Sequence, residues 1–163
     1  ISMRRLASLN YPYRFFEALA DRFRDRCWVT IVRRNGQPVA GLVTFLFRDR
    51  VMPYFIGTTE EARHCSAANF IYRAVMERAV AAGYRVFDFG RSRRDNSGSY
   101  DFKRFHGFEP RPLEYQRYIE PGHSTTDLSP TNPAFGLARR IWPHLPLCVT
   151  RFAGAHLSRH IPG

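Results

Sequence analysis

The sequence predicts a layered α/β (α+β) domain on a mixed, mostly antiparallel sheet flanked by helices. Three observations carry this. Two β-rich runs, Trp28 to Arg33 and Val39 to Phe47, meet across Asn35-Gly36, a dipeptide suited to a tight hairpin turn. A helix-period stripe of Ile71, Val75, Ala79 and Ala82 follows a third β-rich run, Val51 to Ile56. A further short strand, Tyr84 to Phe89, comes after that helix, so the succession layers helices on a mixed sheet.

The elements follow in order. Tyr11 to Arg26 reads as an amphipathic helix, with Phe15, Phe16, Leu19 and Phe23 on one side and charged residues on much of the other. The third strand is entered through Arg48-Asp49-Arg50. Ser66 is placed to cap a helix ending at Ala82, with Gly83 just past its end. After Tyr84 to Phe89 comes a polar loop, Gly90 to Gly98, then a brief helix from Ser99 to His106 and a final strand from Leu113 to Ile119. The domain is thus expected over 1–119. Residues 120–133 collect Pro, Gly, Ser, Thr, Asn and Asp and read as a linker. A helical tail over 134–163 divides at Pro146 into Ala134 to Leu145 and Leu147 to His160. The second of these carries Val149, Phe152, Ala153 and Leu157 on one side.

At 163 residues, 44% hydrophobic and 24% charged, the chain fits one globular domain that folds without a disulfide or metal. The longest apolar stretch, Pro38 to Phe47, is too short to span a bilayer, and no secretory signal opens the chain. Cys27, Cys65 and Cys148 are widely spaced without a C-x-x-C pair, which fits reduced thiols and a cytoplasmic location with no metal site. His156 and His160 share a helix face, but Leu157 stands where a metalloprotease motif needs Glu. The net charge is +11, and every one of the 25 basic residues except Lys103 is Arg. A surface of that sign attracts polyanions.

Chemistry concentrates in Phe87-Asp88-Phe89-Gly90-Arg91-Ser92, Gly98-Ser99-Tyr100-Asp101-Phe102-Lys103 and His106-Gly107-Phe108-Glu109-Pro110. A strand ends at a glycine, a polar loop follows, and a short helix delivers Lys103 and Tyr100 nearby. Ligand sites gather beyond the carboxyl ends of such strands. Each residue has two readings. Lys103 is either a solvated lysine or an ammonium that stabilises a developing oxyanion. Arg91 either pairs with Asp88 or Asp95 or clamps an anionic substrate. Asp88 either orients Arg91 or helps deprotonate an amine. Ser92 suits a loop hydrogen bond better than a nucleophile's role, and Tyr54 and Tyr100 suit packing with a bonded hydroxyl.

This block resembles the C-terminal acyltransferase domain of FemAB-like proteins, in particular those associated with exosortase/PEP-CTERM systems. Pro53-Tyr54, Ala67-Ala68-Asn69-Phe70-Ile71-Tyr72, Asn132-Pro133 and Leu145-Pro146-Leu147 extend the resemblance over essentially the whole chain. It implies a GNAT-like fold and transfer of an acyl or aminoacyl group to an amine acceptor without a metal. The donor would be an anionic acyl-CoA or aminoacyl-tRNA, with no bound cofactor, and the setting cell-envelope or exopolysaccharide metabolism. It also implies an upstream GNAT-like domain, in keeping with a chain that opens on Ile1, and no stable membrane insertion. Lys103, Asp88 and Tyr100 would form the catalytic group. Arg91, Ser92, Tyr54, Arg63, Ser66 and Asn69 would bind substrate. GNAT enzymes hold pyrophosphate on a Q/R-x-x-G-x-G/A turn at a helix N-terminus. The counterpart here is Arg63-His64-Cys65-Ser66-Ala67-Ala68, in which Ser66 replaces the first glycine. A β-carbon there restricts close backbone approach, so weak coenzyme A binding is expected. The rival reading is a non-catalytic basic module for RNA or another polyanion, since Arg and Tyr suit phosphate contacts and stacking.

Overall fold

The computed structural model describes residues 11–92, 97–116, 118–120 and 136–157. Helix α1 spans Tyr13–Phe23 and ends in a 3-10 turn at Arg24–Arg26. Strands β1 (Cys27–Arg34), β2 (Gln37–Phe47) and β3 (Arg50–Thr58) form an antiparallel meander. The β1–β2 turn is the expected one, with Asn35 and Gly36 both left-handed at φ 50° and 77°. A single helical turn, α2 (Glu61–His64), precedes the long helix α3 (Ala67–Ala81). Strand β4 (Val86–Phe87) then adds to β3 in parallel, giving the order β1-β2-β3-β4. Helix α4 (Ser97–Phe105) follows, and the tail holds α5 (Gly136–Ile141), a 3-10 turn at Trp142–His144 and α6 (Leu147–Leu157). The mixed sheet flanked by helices is the predicted fold class.

The core lies between the sheet and α3. Alternation along β2 sends Leu42, Thr44 and Leu46 to one face, where Val51 of β3 joins them. Ala67, Ile71, Val75 and Ala79 of α3, four apart, cover that face and are all buried. Ala82, placed in this stripe by periodicity, is exposed because it caps the helix rather than continuing it. On the other face Phe15 and Phe16 of α1 meet Phe55 edge-on at 5.7 and 5.5 Å, and Phe23 meets Phe45 at 4.8 Å.

Several expectations are corrected. Ser66 occupies the N-cap position of α3, yet its side chain makes no cap bond. It sits at φ 50°, ψ 31°, where the hydroxyl does not meet the helix N–H groups as an extended N-cap does. Strand β4 is two residues long rather than six, because only Arg50 and Val51 pair with it before the chain turns at Gly90. The described residues from Leu113 to Ile119 form no strand. Leu113, Tyr115 and Tyr118 are exposed, so their apolar side chains gain no burial that would hold the segment against the sheet. In α6 the expected apolar face is not the buried one. Thr150 and Gly154 are buried, while Val149 and Phe152 are exposed. The linker over 120–133 lies almost wholly outside the described residues, as do Asp95 and His160. Among the described residues, no helix is long and apolar enough to cross a membrane.

Candidate active site

The end of β4 is shaped by an aromatic cluster. Phe89 packs on Phe108 at 4.6 Å and on Tyr72 of α3 at 5.0 Å. Phe102 of α4 meets the same Tyr72 at 5.3 Å, and His106 meets Phe102 at 4.5 Å. His106 Nδ1 donates to the Phe102 carbonyl at 2.8 Å, which closes the end of the helix. The cluster seats α4 against the 88–92 segment and thereby fixes Lys103, the residue after Phe102.

Lys103 Nζ donates to the Gly90 carbonyl at 3.0 Å and to the Arg91 carbonyl at 3.1 Å. Phe89 presents its ring 5.9 Å from the same ammonium. Burial holds the Lys103 pKa below the usual lysine value, against an opposing pull from the Asp88 carboxylate. Asp88 Oδ1 accepts from the Gly90 N–H at 2.8 Å, forming a local turn, and Oδ2 lies 3.7 Å from the Arg50 guanidinium. Arg91 donates to the Tyr115 hydroxyl at 3.5 Å. That hydrogen bond raises the Arg91 pKa further, with Tyr54 near enough to add to the effect. Arg91 therefore stays cationic at any working pH. Ser92 and Ser99 bring their hydroxyls within 3.4 Å across the ends of the loop.

Lys103, Asp88, Arg91, Ser92 and Tyr54 thus gather around one strand end. Tyr100 is half-buried on α4 with the Arg104 guanidinium 5.9 Å over its ring, and no described hydrogen bond joins it to Lys103. Arg63, Ser66 and Asn69 are exposed at the turn into α3, again with no described hydrogen bond or ion pair to the Lys103 group. Sequence reasoning missed Tyr115 as the partner of Arg91 and Arg50 as the partner of Asp88. Neither carries a local signal, since the partners lie 24 residues from Arg91 and across the β3–β4 pairing from Asp88.

The turn at Ser66 has its own electrostatics. The α3 N–H groups of Ala67, Ala68 and Asn69 precede the first intrahelical bond, which runs from Phe70 N–H to the Ser66 carbonyl at 3.1 Å. Ala67 is buried, so the positive end of the helix dipole faces solvent at Ala68 and Asn69. Ser66 adopts the left-handed conformation that glycine takes without strain, so the backbone course of a glycine turn is kept despite the side chain.

The model of the acetyltransferase (GNAT) domain matches residues 2–104, more than half the chain. The chain belongs to the GNAT acetyltransferase family. No curated protein matches the sequence. Among solved structures, this GNAT domain is similar to aminoglycoside N-acetyltransferase AAC(6')-Iy in complex with CoA, at 18% identity and TM-score 0.51, over 65% of this chain and 88% of that one. The same enzyme with a bisubstrate analogue gives 16% identity and TM-score 0.54, over 68% and 83% of the two chains. An aminoglycoside acetyltransferase from an uncultured soil metagenomic sample gives 11% identity and TM-score 0.53, over 68% and 76%. At these identities the likeness concerns the fold. Among the described residues, no group of three or more His, Cys, Asp or Glu side chains is arranged to hold a metal ion in this GNAT domain.

Proposed function

We propose that this GNAT domain is a FemAB-like N-acyltransferase that moves an acyl group from an acyl-CoA thioester to a primary amine, in cell-envelope or exopolysaccharide metabolism. The observation that carries the donor assignment is the left-handed backbone of Ser66 at the start of α3, ahead of the Ala68 and Asn69 N–H groups, which have no intrahelical acceptor. The FemAB-like subtype rests on the Phe87 to Ser92 and Tyr100 to Lys103 segments. The amine nitrogen attacks the thioester carbonyl, a C–N bond forms, and the C–S bond breaks to release the thiolate. Lys103 spends two of its three N–H bonds on the Gly90 and Arg91 carbonyls, so the third is available to the oxyanion. Both Asp88 oxygens are engaged, which suits positioning of Gly90 better than proton abstraction. Water takes the amine proton in this scheme, and Arg91 holds an anionic part of donor or acceptor.

The test incubates the full chain with acetyl-CoA and a panel of primary amines, amino sugars included, and follows release of the coenzyme A thiol. Calorimetry with coenzyme A runs alongside. Thiol release that depends on the amine supports the reading. Absence of both binding and release, with turnover on charged tRNA instead, reassigns the donor; absence of all three overturns the enzymatic reading.

A further inference from the structure

A cavity of about 390 Å³ opens at the end of the sheet away from Ser66, between the α1–β1 turn and the β2–β3 hairpin. Arg22, Arg24 and Arg26 line it together with Phe45, Phe47 and Met52, and Asp25 is its one carboxylate. Met52 and Thr58 are separated by roughly 20 Å of strand, so the cavity is remote from the turn into α3. Its size lies within the range of small-molecule sites.

Two features set it apart from an ordinary surface groove. First, the charge is lopsided, with three arginines and one carboxylate among the residues that line it beside Phe45, Phe47 and Met52. An arginine–aromatic contact lies beside it, Arg48 at 5.2 Å over the ring of Phe47. Second, the backbone of Arg24 is strained. It sits at φ 44°, ψ −116°, a conformation that glycine adopts freely and a β-carbon disfavours. Its Nε donates to the Asp21 carbonyl at a long 3.4 Å, a contact too weak to account for the strain. Glycine is the residue such a turn asks for, and an arginine stands there.

We infer that this cavity binds a phosphomonoester carried on a small apolar or aromatic body. A dianionic phosphate matches several guanidinium forks, and the Phe45, Phe47 and Met52 lining takes the attached carbon skeleton. In this proposal the arginine at the strained position 24, which lines the cavity, contributes its guanidinium to the anion site. The inference concerns binding and does not rest on the acyltransfer reading.

The test titrates the full chain, at constant ionic strength, with inorganic phosphate, phenyl phosphate and hexyl phosphate, and follows backbone amide shifts by NMR. Saturable binding is expected for both esters, at least about tenfold tighter than for inorganic phosphate, with shifts centred on Arg22–Arg26 and Phe45–Phe47. The stronger ester identifies the body as aromatic or aliphatic. Arg22→Ala and Arg24→Gly are each expected to weaken binding about tenfold, the usual loss for one charge-assisted hydrogen bond. Arg24→Gly is also expected to raise the melting temperature, since it releases the strain. Non-saturable shifts, shifts centred on Gly90 to Lys103, equal affinity for inorganic phosphate and the esters, or variants that bind like wild type would each overturn the inference.

Discussion

Lys103→Met separates the two things that Lys103 can do. The substitution keeps an unbranched stem beside Phe89 but removes the hydrogen bonds of 3.0 and 3.1 Å to the Gly90 and Arg91 carbonyls. A hydrogen bond to a charged group nets about 1.5–3 kcal/mol when well shielded. Lys103 is only half-buried, so solvent screening brings the pair down to about 1–2 kcal/mol in total. For a domain of this size that lowers the melting temperature by about 2–8 °C. Such a loss leaves the protein almost wholly folded at assay temperature, so it cannot by itself reduce turnover. If the third N–H also meets the oxyanion, kcat falls about a hundredfold while KM for acyl-CoA changes by less than about threefold. Lys103→Arg should restore less than full turnover, because a planar guanidinium cannot point at both carbonyls and the oxyanion as a compact ammonium can. Thermal melts and steady-state kinetics on the same preparations decide the matter. A lower melting temperature with unchanged kcat would leave Lys103 as a loop clamp and refute the catalytic half of the reasoning. Neither effect would refute both halves.

Three further outcomes are expected. The folded-state pKa of Lys103 lies below its unfolded value, so between the two the unfolded chain binds more protons and stability rises with pH; wild type should therefore gain on Lys103→Met in urea melts as the pH is raised toward the ordinary lysine value. Turnover that needs the ammonium should fall over the same interval. Ser66→Gly removes the left-handed strain at φ 50° at the cost of a freer unfolded chain, a net gain of about 0.5 kcal/mol, and tightens coenzyme A binding in calorimetry. Weaker binding by that variant would show that the serine side chain itself contacts the donor. Thr44 is fully buried on β2 and its hydroxyl has no partner among the described residues, so Thr44→Val should stabilise the domain by about 1 kcal/mol in denaturant titrations.

The scaffold was legible because its signals are local. Asn35-Gly36 dictates a hairpin whatever surrounds it, and the four-residue spacing of Ile71, Val75 and Ala79 names the buried face of α3 without reference to the sheet. The errors fall where a neighbour decides. Tyr84 to Phe89 has the composition of a strand, yet pairing ended after two residues because the chain turns away at Gly90. Leu113 to Ile119 is rich in strand-forming residues, yet its described residues pair with no strand. The grouping of Lys103 with Asp88 and Arg91 was readable from the strand–loop–helix order. Their partners were not. Arg91 reaches Tyr115 rather than Asp88, and Asp88 reaches Arg50, through contacts that only the folded chain creates. Ser66 was readable as a departure from a glycine pattern, but its left-handed backbone is a property of the turn.

The two-residue length of β4 bears on the order in which the chain assembles. Strands β1, β2 and β3 are joined by two-residue turns, so their pairing closes short loops and meets little entropic resistance. Strand β4 pairs Val86 with Arg50 only across the whole of α3, a far longer loop closure than either hairpin. Contacts made after the rate-limiting step govern how fast a protein comes apart rather than how fast it folds. If the meander pairs before the rate-limiting step and the Lys103 bonds to Gly90 and Arg91 form after it, Lys103→Met should speed unfolding and leave the folding rate unchanged in stopped-flow measurements. Substitutions across the 88–106 segment are then expected to move the unfolding arm of the denaturant dependence more than the folding arm.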